Sequence, residues 1–132
     1  MVDLDFLKRK KESAKKPIQS KEWPDHVVIL EGKNFDNFIE KYPLSMVDFW
    51  APWCGPCKAM LPRLRRLSVI YKGRVAFGRL NTQDNEAISK KYKIMGIPHF
   101  KFFSHGKKVA SMTGVKSVGD IKDTIDGLLK KS

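Results

Sequence analysis

The chain has only two cysteines, Cys54 and Cys57, and they stand two residues apart in FWAPWCGPCK, residues 49–58, behind an apolar run. Thiols at that spacing can form a structural staple, supply half of a zinc site, or act as a reactive dithiol. A staple between residues this close in sequence closes a minimal loop and removes little entropy from the unfolded chain. Two cysteines also do not make the disulfide framework of small secreted domains. A structural zinc needs four Cys or His ligands. The histidines are His26, His99 and His105, of which the last two come far downstream and too widely spaced for a finger. Thiol–disulfide exchange remains: one thiolate attacks a disulfide sulfur and a second thiol resolves the mixed disulfide.

The elements that must position this pair follow from a hydrophobic pattern that switches between two periods. VVIL at 27–30 reads as a strand. NFDNFIEKY reads as a helix, with Asn34 as N-cap and Phe35, Phe38, Ile39 and Tyr42 at helical spacing. LSMVDFW at 44–50 is nearly all apolar, as a strand buried on both faces should be. It runs into KAMLPRLRRLSVIYKG, which carries Met60, Leu61, Leu64, Leu67, Ile70 and Tyr71 on a helical stripe ending at Gly73. Pro62 inside that helix predicts a bend.

A third strand is expected in RVAFGRL at 74–80 and a short helix in NEAISKKYKI, ending before Gly96. HFKFFSHGKKVASMT reads as two strands joined by a His-Gly turn. A last helix starts at Ser117, with Asp120 placed as in a capping box, and carries Val118, Ile121, Ile125, Leu128 and Leu129. The order βαβαβαββα predicts an α/β fold whose mixed central sheet is flanked by helices on both faces. No internal repeat is found. In this frame Cys54 falls where a strand gives way to a helix, so its sulfur faces unpaired N–H groups and the positive end of the helix dipole. That position favours a thiolate. Cys57, one turn further in, is expected to be the more buried and less acidic partner.

VDFWAPWCGPCKAMLP, with GIPHF downstream, resembles the thioredoxin family from about Val27 to the C-terminus. Trp53, Gly55, Pro56, the acid Asp48, the helix proline and Ile97-Pro98 all fall in their family places. The resemblance implies the thioredoxin fold and a protein disulfide reductase in which Cys54 attacks and Cys57 resolves. It implies no bound cofactor and no metal, the redox group being the Cys54–Cys57 disulfide. It also implies disulfide-containing protein substrates and a thioredoxin reductase that returns the pair to the dithiol. Asp48 stands out on physical grounds too, because a carboxylate buried among apolar neighbours has a raised pKa and suits proton transfer. The family uses its matching aspartate to take the proton of the resolving cysteine.

The resemblance further implies a cis Ile97–Pro98 bond facing the dithiol, with the backbone of Ile97 pairing with bound substrate, and a flat patch at Gly114. Two departures stand out. Arg79 occupies a place where most bacterial thioredoxins have lysine, and its permanent charge would hold Asp48 ionised more firmly if the two meet. His99 stands where threonine is usual. Strand alternation points it away from the face that carries Pro98, as a packed or solvated residue.

At 132 residues with 42% hydrophobic content, the chain suits one packed domain. The expected organisation is a basic, flexible extension over residues 1–25, anchored by Trp23, and a domain over 26–132. No apolar stretch serves as a signal core or a membrane span, and Asp3, Asp5 and Glu12 interrupt the basic residues that a transit peptide would need. A cytoplasmic monomer is the expectation. The net charge of +12, with basic runs KRKK, RLRR and KK, suits nucleic acid, an anionic surface or acidic proteins. No aromatic platform or nucleic-acid motif accompanies those runs, so a solvated surface is the favoured reading. The alternatives are a disulfide oxidase or isomerase of the same fold and a basic interaction module that uses the N-terminal arm.

Overall fold

The computed structural model describes residues 18–131. Of the extension expected over 1–25, residues 1–17 therefore lie outside the described residues. Strands β1 (Val28–Leu30), β2 (Ser45–Trp50), β3 (Ala76–Asn81), β4 (His99–Ser104) and β5 (Lys107–Thr113) are joined through helices α1 (Phe35–Lys41), α2 (Gly55–Ile70) and α3 (Glu86–Lys91), and α4 (Val118–Lys130) closes the chain. The sheet order is β1-β3-β2-β4-β5. β3 pairs in parallel with β1 and β2, because helical crossovers join these strands, whereas β4 runs antiparallel to both β2 and β5. The expected mixed sheet is what forms.

β2 is the central strand, hydrogen-bonded on both edges, which is why its run is buried without alternation from Ser45 to Phe49. One core lies between the sheet and the pair α2 and α4, where Met46, Phe77 and Phe100 meet Met60, Leu64 and Ile121. The other lies toward α1, where Val47, Phe49 and Phe103 meet Phe35, Phe38 and Ile39. The β4–β5 hairpin turns through His105 and Gly106, both at positive φ, as a two-residue turn compatible with strand twist requires. The turn is seated on the end of α1: His105 N–H donates to the Tyr42 carbonyl at 3.0 Å and Gly106 N–H to the Ile39 carbonyl at 2.7 Å.

Several local expectations shift. Asn34 occupies the N-cap position of α1 but makes no capping bond. Its Oδ1 accepts from Glu31 N–H at 2.6 Å and its Nδ2 donates to the Ile29 carbonyl at 3.1 Å, so it closes the turn out of β1 instead. On α2 the buried stripe is Met60, Leu64, Leu67 and Tyr71, with Leu61 half-buried and Ile70 exposed at its margins. Ser68 is buried in their stead, its hydroxyl donating to the Arg65 carbonyl at 2.7 Å. The helix continues through Pro62. Ser117 caps α4 as expected, accepting from Asp120 N–H at 3.0 Å. Within residues 18–25, Trp23 anchors the segment, buried 5.0 Å from the Tyr42 ring, and Tyr42 Oη donates to the Glu22 carbonyl, while residues 19–22 and Asp25 are exposed.

Candidate active site

The junction of β2 and α2 builds the site. After Trp50 the chain turns, Cys54 N–H donates to the Ala51 carbonyl at 3.1 Å, and Cys54 takes an extended conformation as the N-cap of α2. A serine or aspartate oxygen usually receives a first-turn amide at that position. Here the acceptor is Cys54 Sγ, 3.2 Å from Cys57 N. Pro56, in the first turn of the helix, has no N–H to leave unpaired there. A Cβ on Gly55 would meet nothing within 4 Å, so the start of α2 is open at that residue.

Cys54 and Cys57 are joined as a disulfide. Cys54 keeps 5% exposure and Cys57 none, so an incoming sulfur reaches Cys54. Trp53 beside it is 72% exposed. Ile97 packs against the pair together with Ala51, and the Ile97–Pro98 bond is cis. Gly114 N–H donates to the Pro98 carbonyl at 2.8 Å, and Gly114 takes φ 90°, a left-handed conformation that favours glycine. The dithiol, the proline loop and the glycine loop thus form one continuous surface. Arg63 adds a tie from α2, its Nη1 donating to the Lys116 carbonyl at 2.8 Å.

Behind the sulfurs, Asp48 on β2 lies opposite Arg79 on β3 in the parallel register, so both side chains point to the α2 face. Asp48 is fully buried. Arg79 Nε donates to its Oδ2 at 2.8 Å, while Oδ1 is buried with no partner among the described residues. Burial pushes the Asp48 carboxyl up from 3.8 to about 6, against the hydrogen bond and charge of Arg79, which pull it down. The same guanidinium reaches over to Cys57, donating through Nη2 to its carbonyl at 3.2 Å, and lies 4.4 Å over the Trp50 ring. Sequence reasoning foresaw the meeting of Arg79 with Asp48 as a condition and missed the bond to Cys57. The family place of Arg79, where most bacterial thioredoxins have lysine, carried the first signal, and nothing local carried the second. A groove of about 910 Å³, lined by Trp50, Leu61, Arg65, Arg79 and Asn81 among others, reaches Arg79, while Asp48 behind it stays buried.

His99 is a packed residue. Its Nδ1 lies 2.8 Å from Thr113 Oγ1 and its ring 6.2 Å from that of Phe49, on the α1 side of the sheet. Burial, with Lys101 and Lys108 nearby, pushes its pKa down and favours the neutral ring. Among the described residues, no three His, Cys, Asp or Glu side chains are grouped to hold a metal, and no helix is long and apolar enough to cross a membrane.

Comparison with known proteins agrees with this geometry. An M-type chloroplastic thioredoxin of spinach is 40% identical over 84 residues, a match that covers 64% of this chain and 46% of that protein. The chain thus spans about half the length of that relative. A thioredoxin of Staphylococcus aureus is 32% identical over 100 residues, covering 76% of this chain and 95% of its own. Among solved structures, a point-mutant thioredoxin from Halobacterium salinarum superimposes with a TM-score of 0.74 at 26% identity, over 79% of this chain and 91% of that one. The Thioredoxin family model matches residues 26–127. That match takes in both cysteines and all five strands of the described sheet, and the chain belongs to the thioredoxin family.

Proposed function

We propose that the chain is a protein disulfide reductase that works by dithiol–disulfide exchange through Cys54 and Cys57. The observation that carries this reading is the unequal pair at the start of α2: Cys54, whose sulfur caps the helix and which keeps 5% exposure, and Cys57, which has none. In the reduced protein the cap amide and the helix dipole favour the Cys54 thiolate. It attacks one sulfur of a substrate disulfide, whose S–S bond breaks, and the other substrate sulfur leaves as a thiolate. Cys57 then loses its proton and attacks Cys54 Sγ. The mixed disulfide breaks, the second substrate sulfur leaves, and the Cys54–Cys57 disulfide remains. The substrate has gained two electrons and the protein has lost two.

Asp48 is the base for Cys57. With its pKa near 6 it is ionised at pH 7, yet it is a stronger proton acceptor than an ordinary carboxylate. Its unpartnered Oδ1 is the atom free to take the proton. Arg79 is a positioning residue, tying Asp48 to the Cys57 backbone. Trp53, Gly55, Pro56 and Gly114 shape the surface, and the backbone of Ile97 beside Pro98 pairs with the substrate chain. A thioredoxin reductase returns the disulfide to the dithiol, and disulfide-containing proteins are the substrates of this monomer. The reading calls for a reducing compartment. The cytoplasm fits, and so does the reducing interior of an organelle of the kind named for the spinach relative.

The test is trapping. Cys57→Ser should accumulate mixed disulfides that dithiothreitol releases, and Cys54→Ser should form none. Turnover by Cys57→Ser at the parental rate would remove Cys57 from the resolving step.

A further inference from the structure

The surface around the dithiol is apolar and unusually bare. Met95 is 95% exposed, Trp53 is 72% exposed, and Val115 is also exposed. Met95 precedes the Gly96–Pro98 loop that packs on the disulfide, and Val115 follows Gly114, which is bonded to Pro98. These three side chains therefore ring the site from three different segments.

The charge of the chain is distributed unevenly. Between Phe49 and Gly119 there are fourteen Lys and Arg but only two acids, Asp84 and Glu86. The rest of the chain holds twelve of each, so the whole +12 excess lies in the segment that carries the dithiol, the proline loop and the glycine loop. Residues 1–25 hold seven basic and five acidic residues, which leaves the extension a minor contributor. Each apolar side chain of the face has a cation close by in sequence. Lys58 is exposed in the first turns of α2 next to Cys57, Lys93 is exposed two residues before Met95, and Lys116 follows Val115 with its carbonyl held by Arg63. Of the acids nearest in sequence, Asp84 accepts from Asn81 Nδ2 at 3.2 Å, and Glu86 and Asp120 lie in the first turns of α3 and α4, where a helix dipole favours a negative charge.

We propose that this face selects disulfides carried on acidic protein segments, whose apolar residues dock on Trp53, Met95 and Val115 while flanking carboxylates meet Lys58, Lys93 and Lys116. The proposal rests on the reductase reading and names its substrate class. A protein is favoured over a nucleic acid because Lys58, Lys93 and Lys116 neighbour in sequence the apolar side chains beside a group that reacts only with sulfur, whereas Arg74, Lys107 and Lys108 line a separate groove with Pro43 and Leu44, and because the N-terminal extension adds little charge. Exposed ion pairs contribute little one at a time, so the effect falls on encounter: a field of one sign raises the association rate of an oppositely charged partner and fades with salt.

The experiment uses the full-length protein and three disulfide-cyclised peptides with one common ring, flanked by Asp and Glu, by Ser and Gly, or by Lys. At about 10 mM salt, where the Debye length is about 30 Å, kcat/KM should fall about tenfold from the acidic to the basic peptide. The change should reside in KM. At about 1 M salt, where the Debye length is about 3 Å, the three should agree within about twofold. The double variant Lys58→Glu with Lys93→Glu should lose most of the preference at low salt, while Lys33→Glu, a charge reversal in the turn between β1 and α1, should keep it. Equal kcat/KM for all three peptides at low salt would overturn the proposal, and so would a loss in Lys33→Glu as large as in the double variant. Equal peptide kinetics together with salt-sensitive binding of a single-stranded oligonucleotide would overturn it in favour of nucleic acid. Failure to reduce any peptide, the neutral one included, would instead strike at the reductase reading.

Discussion

Asp48 should make the protein less stable at neutral pH than at acid pH, and Asp48→Asn should remove that dependence. Asparagine has the shape of the protonated acid and keeps an oxygen for Arg79 Nε. In the native protein the carboxyl titrates near 6, and in the unfolded chain near 3.8. Below the lower value both states are protonated and the group is neutral to stability. Between the two values the native state holds a proton that the unfolded state has released, so stability falls as pH rises. Above 6 the loss is complete. A difference of about two pH units corresponds to about 3 kcal/mol, and Asp48 has no exposure through which solvent would screen it. Urea unfolding of the oxidised protein, followed by Trp fluorescence, should therefore show Asp48→Asn more stable than the parent by about 3 kcal/mol at pH 8 and nearly equal to it at pH 4. With a urea m-value of about 1–3 kcal/mol/M, the midpoint at pH 8 rises by about 1 M or more. A gap of the same size at both pH values would refute the linkage, and a variant less stable than the parent at pH 8 would mean that Asp48 is held as a favourable ion pair.

Arg79→Met should leave burial unopposed at Asp48 and carry its pKa above 6, because both influences that lower it come from Arg79. The resolving step should then slow at pH 7 and its pH profile should move to higher pH, as read from the decay of a mixed disulfide formed with a fluorescent peptide; an unmoved profile would separate Arg79 from the proton transfer. Gly78→Ala should destabilise by about 1–3 kcal/mol in thermal or urea unfolding, since a Cβ there would come 2.6 Å from Leu30 Cδ1 and 3.2 Å from Phe38 Cε1 in a closed core. Parental stability would show that the buried Leu30 can move aside.

Legibility in the sequence followed the range of the interaction. β2 and α2 could be read because burial on two faces and burial on one stripe leave different periods in the chain. Ser117 was readable as a cap because its partner, Asp120 N–H, is three residues away. Asn34 looked like the same kind of cap and is not, because the carbonyl of Ile29 and the amide of Glu31 compete for its side chain, and only the path of the chain out of β1 brings them near. Leu61 and Ile70 extend the apolar pattern of α2 but fall at the edge of the stripe, where neither the sheet nor α4 covers them fully. The cysteine pair announced itself by spacing and Asp48 by its apolar surroundings. The cis Ile97–Pro98 bond left no local mark and came from the family resemblance. The bond from Arg79 to the Cys57 carbonyl needed β3 beside β2 and α2 packed across both, a juxtaposition that no short window contains.

The two sulfurs differ because of what the junction requires of each. A sixteen-residue helix must find acceptors for its first amides, and at α2 one acceptor is sulfur. A thiolate meets that need better than a disulfide sulfur does, because a charged acceptor makes the stronger hydrogen bond and also interacts with the dipole. The cap therefore favours charge on Cys54 as soon as the pair is reduced. Cys57 lies inside the helix with no exposure, and the charge of Asp48 lies behind it on the sheet, so ionising Cys57 is costly until the proton has a place to go. In the proposed mechanism the same carboxylate that opposes a second thiolate is the base that removes the proton, and Arg79 bonds both to it and to the Cys57 carbonyl. On the proposed reading, one thiol attacks and the other waits for a mixed disulfide because they occupy the end and the interior of one helix.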